Sequence, residues 1–147
     1  LNSDISENFI AVDGLTLADG RYTIKVVAKD SLSNPPAEAL TGERVSEPFV
    51  VDNTQPEVAV TGTPQVTGET ARVAFRATEA SSYLVRAEYS INGGPWQAVF
   101  PDDGVSDSGS EVYTVNARLP QAGEYTITLR AFDVNGNTGN ASVVVRR

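Results

Sequence analysis

Gly123-Glu124-Tyr125-Thr126-Ile127-Thr128-Leu129-Arg130-Ala131-Phe132-Asp133 is the stretch on which the fold turns. Tyr125, Ile127, Leu129 and Ala131 alternate with Glu124, Thr126, Thr128 and Arg130. Side chains that switch between apolar and polar with a period of two belong to a strand with one face on a core and one in water. The stretch has a sibling 103 residues earlier: Gly20-Arg21-Tyr22-Thr23-Ile24 through Ala28-Lys29-Asp30, with Asn34 matching Asn137. There Tyr22, Ile24, Val26 and Ala28 alternate with Arg21, Thr23, Lys25 and Lys29, interrupted by Val27, which predicts a second half-buried antiparallel strand. Ala71, Val73, Phe75 and Ala77 set against Arg72, Arg76 and Thr78 predict a third. No long run carries apolar residues at helical spacing, so the fold class is all-β.

A repeat distance of 103 residues fits one sandwich domain of about 100 residues and is too long for a solenoid. The second copy has room to be whole. Strands are predicted near 58–61, 70–78, 83–91, 96–100, 112–119, 124–133 and 142–146, and Asn92-Gly93-Gly94 supplies a hairpin turn that needs positive φ. Residues 57–147 are therefore expected to form a complete β-sandwich. Residues 1–52 are expected to be an incomplete copy holding the C-terminal strands alone, with 53–56 as a short linker stiffened by Pro56. Half a sandwich leaves a sheet face uncovered. The stripe Tyr22, Ile24, Val26 and Phe49 is accordingly expected to be covered by the second copy, by a homodimer partner, or by strand exchange through residues 1–52.

Composition removes whole chemistries. The 147 residues include 11 basic and 19 acidic side chains, a formal charge of −8, and no His, Cys or Met. Ser-His-Asp and Cys-His nucleophile systems, disulfides and the usual zinc sites are thereby excluded, leaving carboxylate, hydroxyl and backbone-oxygen chemistry. No basic stripe is present to neutralise phosphates, so nucleic acid is not an expected partner. Apolar runs such as Phe49-Val50-Val51 and Val143-Val144-Val145 are too short to cross a bilayer as helices, and no membrane insertion is expected. A start at Leu1 rather than Met suggests a piece of something larger.

The segment Gly123, Tyr125, Thr126, Ile127, Ala131, Asp133, Gly136 and Asn137 resembles the penultimate strand and following loop of bacterial immunoglobulin-like and fibronectin type III-like modules. The resemblance implies an immunoglobulin-like antiparallel β-sandwich, with Tyr22 and Tyr125 as tyrosine-corner residues whose hydroxyls bond nearby backbone. Asn34-Pro35-Pro36 with Phe49-Val50-Val51-Asp52-Asn53-Thr54-Gln55-Pro56, and Tyr89-Ser90-Ile91-Asn92-Gly93-Gly94-Pro95-Trp96 with Asp102-Asp103-Gly104-Val105-Ser106-Asp107-Ser108, look like tandem modules that trail a β-propeller in large exported bacterial proteins. That implies an extracellular, periplasmic or cell-envelope location and neighbouring domains of a parent protein as partners. It says almost nothing about activity.

Asp133, Asn135 and Asn137 have the alternating oxygen spacing of a calcium loop, which makes them the candidate metal ligands. The sixth position is Thr138 rather than Gly and the twelfth is Val144 rather than Glu, so a turn closed by Asp133 and Asn137 side chains is the favoured reading. Asp30 and Asn34 repeat the outer pair with Leu32 in the middle, which favours a structural role for all four. Asp102, Asp103, Asp107 and Glu111 sit in a Gly/Ser-rich stretch, where a carboxylate pair at fixed separation would suit glycoside hydrolysis; a solvated acidic loop is favoured. Trp96, the one Trp, and Phe132, on the polar face of its strand, are candidate ligand-stacking aromatics, with packing roles favoured. No residue set supports an enzyme. The expected function is a non-catalytic spacer or adhesion-type module, and the alternative is a carbohydrate-binding accessory module assisted by calcium.

Overall fold

The computed structural model describes residues 11–35 and 37–147; Pro36 and the first ten residues of the expected 1–52 segment lie outside the described residues. The chain divides into two compact units between Asp52 and Asn53.

In the first unit, Asp13 caps a single 3-10 turn, Gly14–Thr16, by accepting from the Leu15 N–H at 3.0 Å. Four short strands follow: β1 (Gly20–Tyr22), β2 (Lys25–Lys29), β3 (Thr41–Val45) and β4 (Phe49–Val51). β1 pairs with β4 and β2 with β3, both antiparallel, in registers that place Tyr22 opposite Phe49 and Lys25 opposite Val45. Between the two ladders the Ser46 N–H donates to the Ile24 carbonyl at 2.8 Å, and the Ile24 N–H donates to Ser46 Oγ at 2.9 Å. The result is one interrupted hairpin. Tyr22 and Phe49 stack with ring centroids 6.1 Å apart.

Of the stripe expected to be covered, Tyr22, Ile24 and Phe49 are half-buried, whereas Val26 is 41% exposed and every residue of β2 and β3 is exposed. A two-stranded ribbon has no second layer of its own, so alternation in sequence cannot become burial within it.

The second unit contains β5 (Glu57–Thr67), β6 (Thr70–Thr78), β7 (Leu84–Ile91), β8 (Gln97–Val99), β9 (Ser110–Arg118), β10 (Glu124–Asp133) and β11 (Thr138–Arg146). They form two antiparallel sheets, β5-β6-β9 and β11-β10-β7-β8. Alternate residues of β6 (Ala71, Val73, Phe75, Ala77), β9 (Tyr113, Val115, Ala117) and β10 (Ile127, Leu129, Ala131) are buried and share one hydrophobic core. That arrangement is a β-sandwich, and period-two patterning on three strands produces it directly.

Local chemistry explains the boundaries. Asn92 and Gly93 have φ of +51° and +68°, and the Gly94 N–H donates to the Ile91 carbonyl at 2.9 Å, a primed two-residue turn of the predicted kind. Asn92 also ties this turn to β10, its side-chain oxygen accepting from the Thr126 N–H at 2.8 Å. β5 runs past the predicted end at Thr61 because pairing resumes at Gln65 opposite Arg72 after an irregularity at Gly62, where φ is +69°. β11 starts four residues earlier than predicted, at Thr138 opposite Phe132, since Gly139 must meet other backbone: a Cβ there would lie 1.7 Å from the Pro56 carbonyl oxygen. Turn-like Gly and Asn letters at 139 and 140 disguise a paired segment.

Candidate functional site

At one end of the sandwich, the loop after β6 and the loop after β10 are pinned side by side. The Glu79 N–H donates to the Gly109 carbonyl at 2.8 Å, the Leu84 N–H to Ser108 at 3.0 Å, and the Val134 N–H to Tyr83 at 3.0 Å. Glu79 and Asp133, one from each loop, are 8% and 1% exposed. They offer carboxylate oxygens within 4.8 Å of one another. Two unit charges at that separation repel by about 3 kcal/mol at an effective dielectric of 20.

The two carboxylates are unequally satisfied. Asp133 Oδ1 accepts from the Asn137 N–H and Oδ2 from Asn137 Nδ2, both at 2.8 Å. The Gly136 N–H donates to the Asp133 carbonyl, and the Asp133 N–H to that of Asn137, which closes a tight turn. Glu79 Oε1 accepts from the Ser81 N–H at 2.9 Å, whereas Glu79 Oε2 is buried with no hydrogen-bond partner. Ser82 Oγ, in the same loop, is the other buried side-chain oxygen without a partner among the described residues. No Lys or Arg pairs with Glu79 or Asp133 among the described residues.

The structure joins Asp133 to Asn137 and leaves Asn135 exposed. In the first unit, Asn34 Nδ2 likewise donates to Asp30 Oδ2 at 2.7 Å, while the Leu40 N–H donates to Asp30 Oδ1 at 2.7 Å. A longer loop thus closes the same carboxylate with a different amide. Glu79 escaped the sequence reading because Thr78-Glu79-Ala80-Ser81-Ser82 looks like an ordinary polar loop. A signal existed: Glu79 continues the inward parity of Ala71, Val73, Phe75 and Ala77, as Asp133 continues that of Ile127, Leu129 and Ala131.

Trp96 and Phe132 lie on the outer face of the four-stranded sheet. The Arg130 guanidinium sits 3.9 Å from the Trp96 ring centroid, and that of Arg86 sits 3.4 Å from the Phe132 centroid. Glu88 binds both cations, accepting from Arg86 at 2.7 Å and from Arg130 at 2.6 Å and 2.9 Å. Rings and cations therefore interleave across β7 and β10, where Phe132 is opposite Arg86 and Arg130 is opposite Glu88.

The acidic stretch is internally engaged. Asp102 accepts from the Thr114 N–H and hydroxyl, Asp103 from the Val105 N–H, and Glu111 from the Asp107 and Ser108 N–H groups and the Ser108 hydroxyl. Beside it, burial raises the Tyr113 phenol pKa above its ordinary value, opposed by a hydrogen bond with Ser106 and reinforced by Glu111 and Asp103.

No protein-family profile matches the chain. No curated protein matches it either. Among solved structures, the sulfane dehydrogenase SoxCD from Paracoccus pantotrophus superposes with a TM-score of 0.46 at 15% identity, covering 71% of this chain and 26% of that one. The chain thus corresponds to about a quarter of that protein's length. No helix among the described residues is long and apolar enough to cross a membrane.

Proposed function

We propose that the chain is a non-catalytic spacer or adhesion-type segment of a larger exported bacterial protein, built from immunoglobulin-like modules. The observation that carries this reading is the duplicated hairpin device. Tyr22 Oη donates to the carbonyl of Ala18 at 2.7 Å, and Tyr125 Oη to that of Gln121 at 3.0 Å, each four residues upstream. At or just after the end of the strand that follows, an Asp is bonded to the Asn four residues on. Serial reuse of one device suits a chain of modules, and a tyrosine corner at that place is a feature of immunoglobulin-like sandwiches.

Strand distribution supports the same reading. Counting β5 as the first of seven, strands one, two and five share a sheet, and strands three, six and seven share the other. An immunoglobulin constant-type domain has this division, with its fourth strand on the opposite sheet from the one used here. On this reading the hairpin of β1 to β4, residues 20–51, is the equivalent of the hairpin of β10 and β11 in a second module, neighbouring domains are the partners, and the location is outside the cytoplasm. Guanidinium groups over Trp96 and Phe132 make those rings part of a packed ladder.

Titrating the full chain with soluble polysaccharides while following Trp96 fluorescence tests this. The spacer reading expects no saturable change; saturable quenching assigns the carbohydrate-binding role instead.

A further inference from the structure

We propose that Glu79 and Asp133 are carboxylate ligands of a hard divalent cation of the calcium class, bound where the loop after β6 meets the loop after β10. Their oxygens approach within 4.8 Å, and both side chains are more than nine-tenths buried. The independent sign of a ligand is Glu79 Oε2, a buried oxygen with no hydrogen-bond partner among the described residues. Buried polar atoms are otherwise almost always satisfied. Each carboxylate can accept about four contacts. Among the described residues Asp133 accepts two, both from Asn137, and Glu79 accepts one, from Ser81, so both retain capacity toward a cation.

Ligand chemistry selects the ion. The site is all oxygen and the chain has no His or Cys, which disfavours zinc and copper. Calcium accepts irregular sets of carboxylate, carbonyl and water oxygens, whereas magnesium demands near-ideal octahedra. Asn137 acts as the positioning residue. By donating from both its main chain and its side chain, it fixes the rotamer of Asp133 in the way that outer-shell donors orient metal-binding carboxylates. Asp30 and Asn34 share the turn chemistry, but among the described residues of the first unit none corresponds to the Glu79 loop, so the site belongs to the second unit.

The test uses the full chain, stripped with EDTA and titrated with calcium chloride. Calorimetry should find one ion bound per chain with a Kd of about 0.1 to 1 mM, in the range of extracellular calcium modules. At about 10 mM calcium the melting temperature of the second unit should rise by about 5 °C or more. Amide shifts on titration should be centred on residues 79–83 and 133–137. Glu79→Gln should weaken binding at least tenfold, whereas Asp103→Asn, at an exposed acid, should leave it unchanged. An absence of heat and of any melting shift overturns the proposal, as does an undiminished response in Glu79→Gln. Amide shifts confined to residues 102–107 also overturn it, and remain decisive even where a variant fails to fold.

Discussion

The hairpin formed by β1 to β4 and the hairpin formed by β10 and β11 carry the same local devices and meet different fates. Both have a Gly two residues before a Tyr whose hydroxyl bonds the chain four residues back, and in both an Asp at the turn that follows is locked to an Asn. In the second, Ile127, Leu129 and Ala131 are fully buried beneath another sheet; in the first, Val26 and Ala28 stand exposed. Local hydrogen bonds define the shape of a hairpin, and a facing layer supplies the apolar burial that makes it stable.

The comparison is most forcefully broken or sharpened in the core. Leu129→Ala should destabilise the second unit by about 2 to 5 kcal/mol, while Val26→Ala should change it by less than about 0.5 kcal/mol. Urea unfolding followed by Trp96 fluorescence reads the unit that matters. Equal effects would erase the distinction between the two hairpins. Next comes Gly139→Ala, whose Cβ would intrude on the Pro56 carbonyl; about 1 to 3 kcal/mol should be lost as β5 and β11 move apart.

Tyr125→Phe removes a hydroxyl that donates to the Gln121 carbonyl and accepts from its N–H, and should lower stability by about 1 kcal/mol. Tyr22→Phe should leave the same unfolding curve unmoved. The gentlest probe is pH. Burial raises the Tyr113 pKa in the folded state, so the unfolded chain releases that proton first as pH rises. Its contribution is complete below about pH 10 and declines as pH climbs from there through the raised folded value. Tyr113→Phe should flatten that alkaline limb of the stability profile.

Much of the second unit was legible in its letters. Alternation at Ala71 to Ala77 and at Tyr125 to Ala131 identified strands whose inward residues form the core, and Asn92-Gly93 named a hairpin turn. Two kinds of information were hidden. Whether a face is covered depends on residues far away in sequence: of the alternating residues in the first unit, Tyr22 and Ile24 are half-buried while Val26 and Ala28 are exposed. Glu79 was hidden because a polar letter after the last apolar one signals the end of a strand. Only its parity, shared with Phe75 and Ala77, betrays that it points inward. Asp133 and Asn137 were readable as a turn because their bond is local; their meeting with Glu79 is tertiary.

Residue-resolved amide hydrogen exchange on the full chain tests the central claim most directly. Amides of Ile127, Leu129 and Ala131 should exchange only on global unfolding of the sandwich, and those of Val26 and Ala28 should exchange orders of magnitude faster through local opening. Comparable protection in the two strands would contradict the account, because it would mean that the first hairpin is as fully covered as the second.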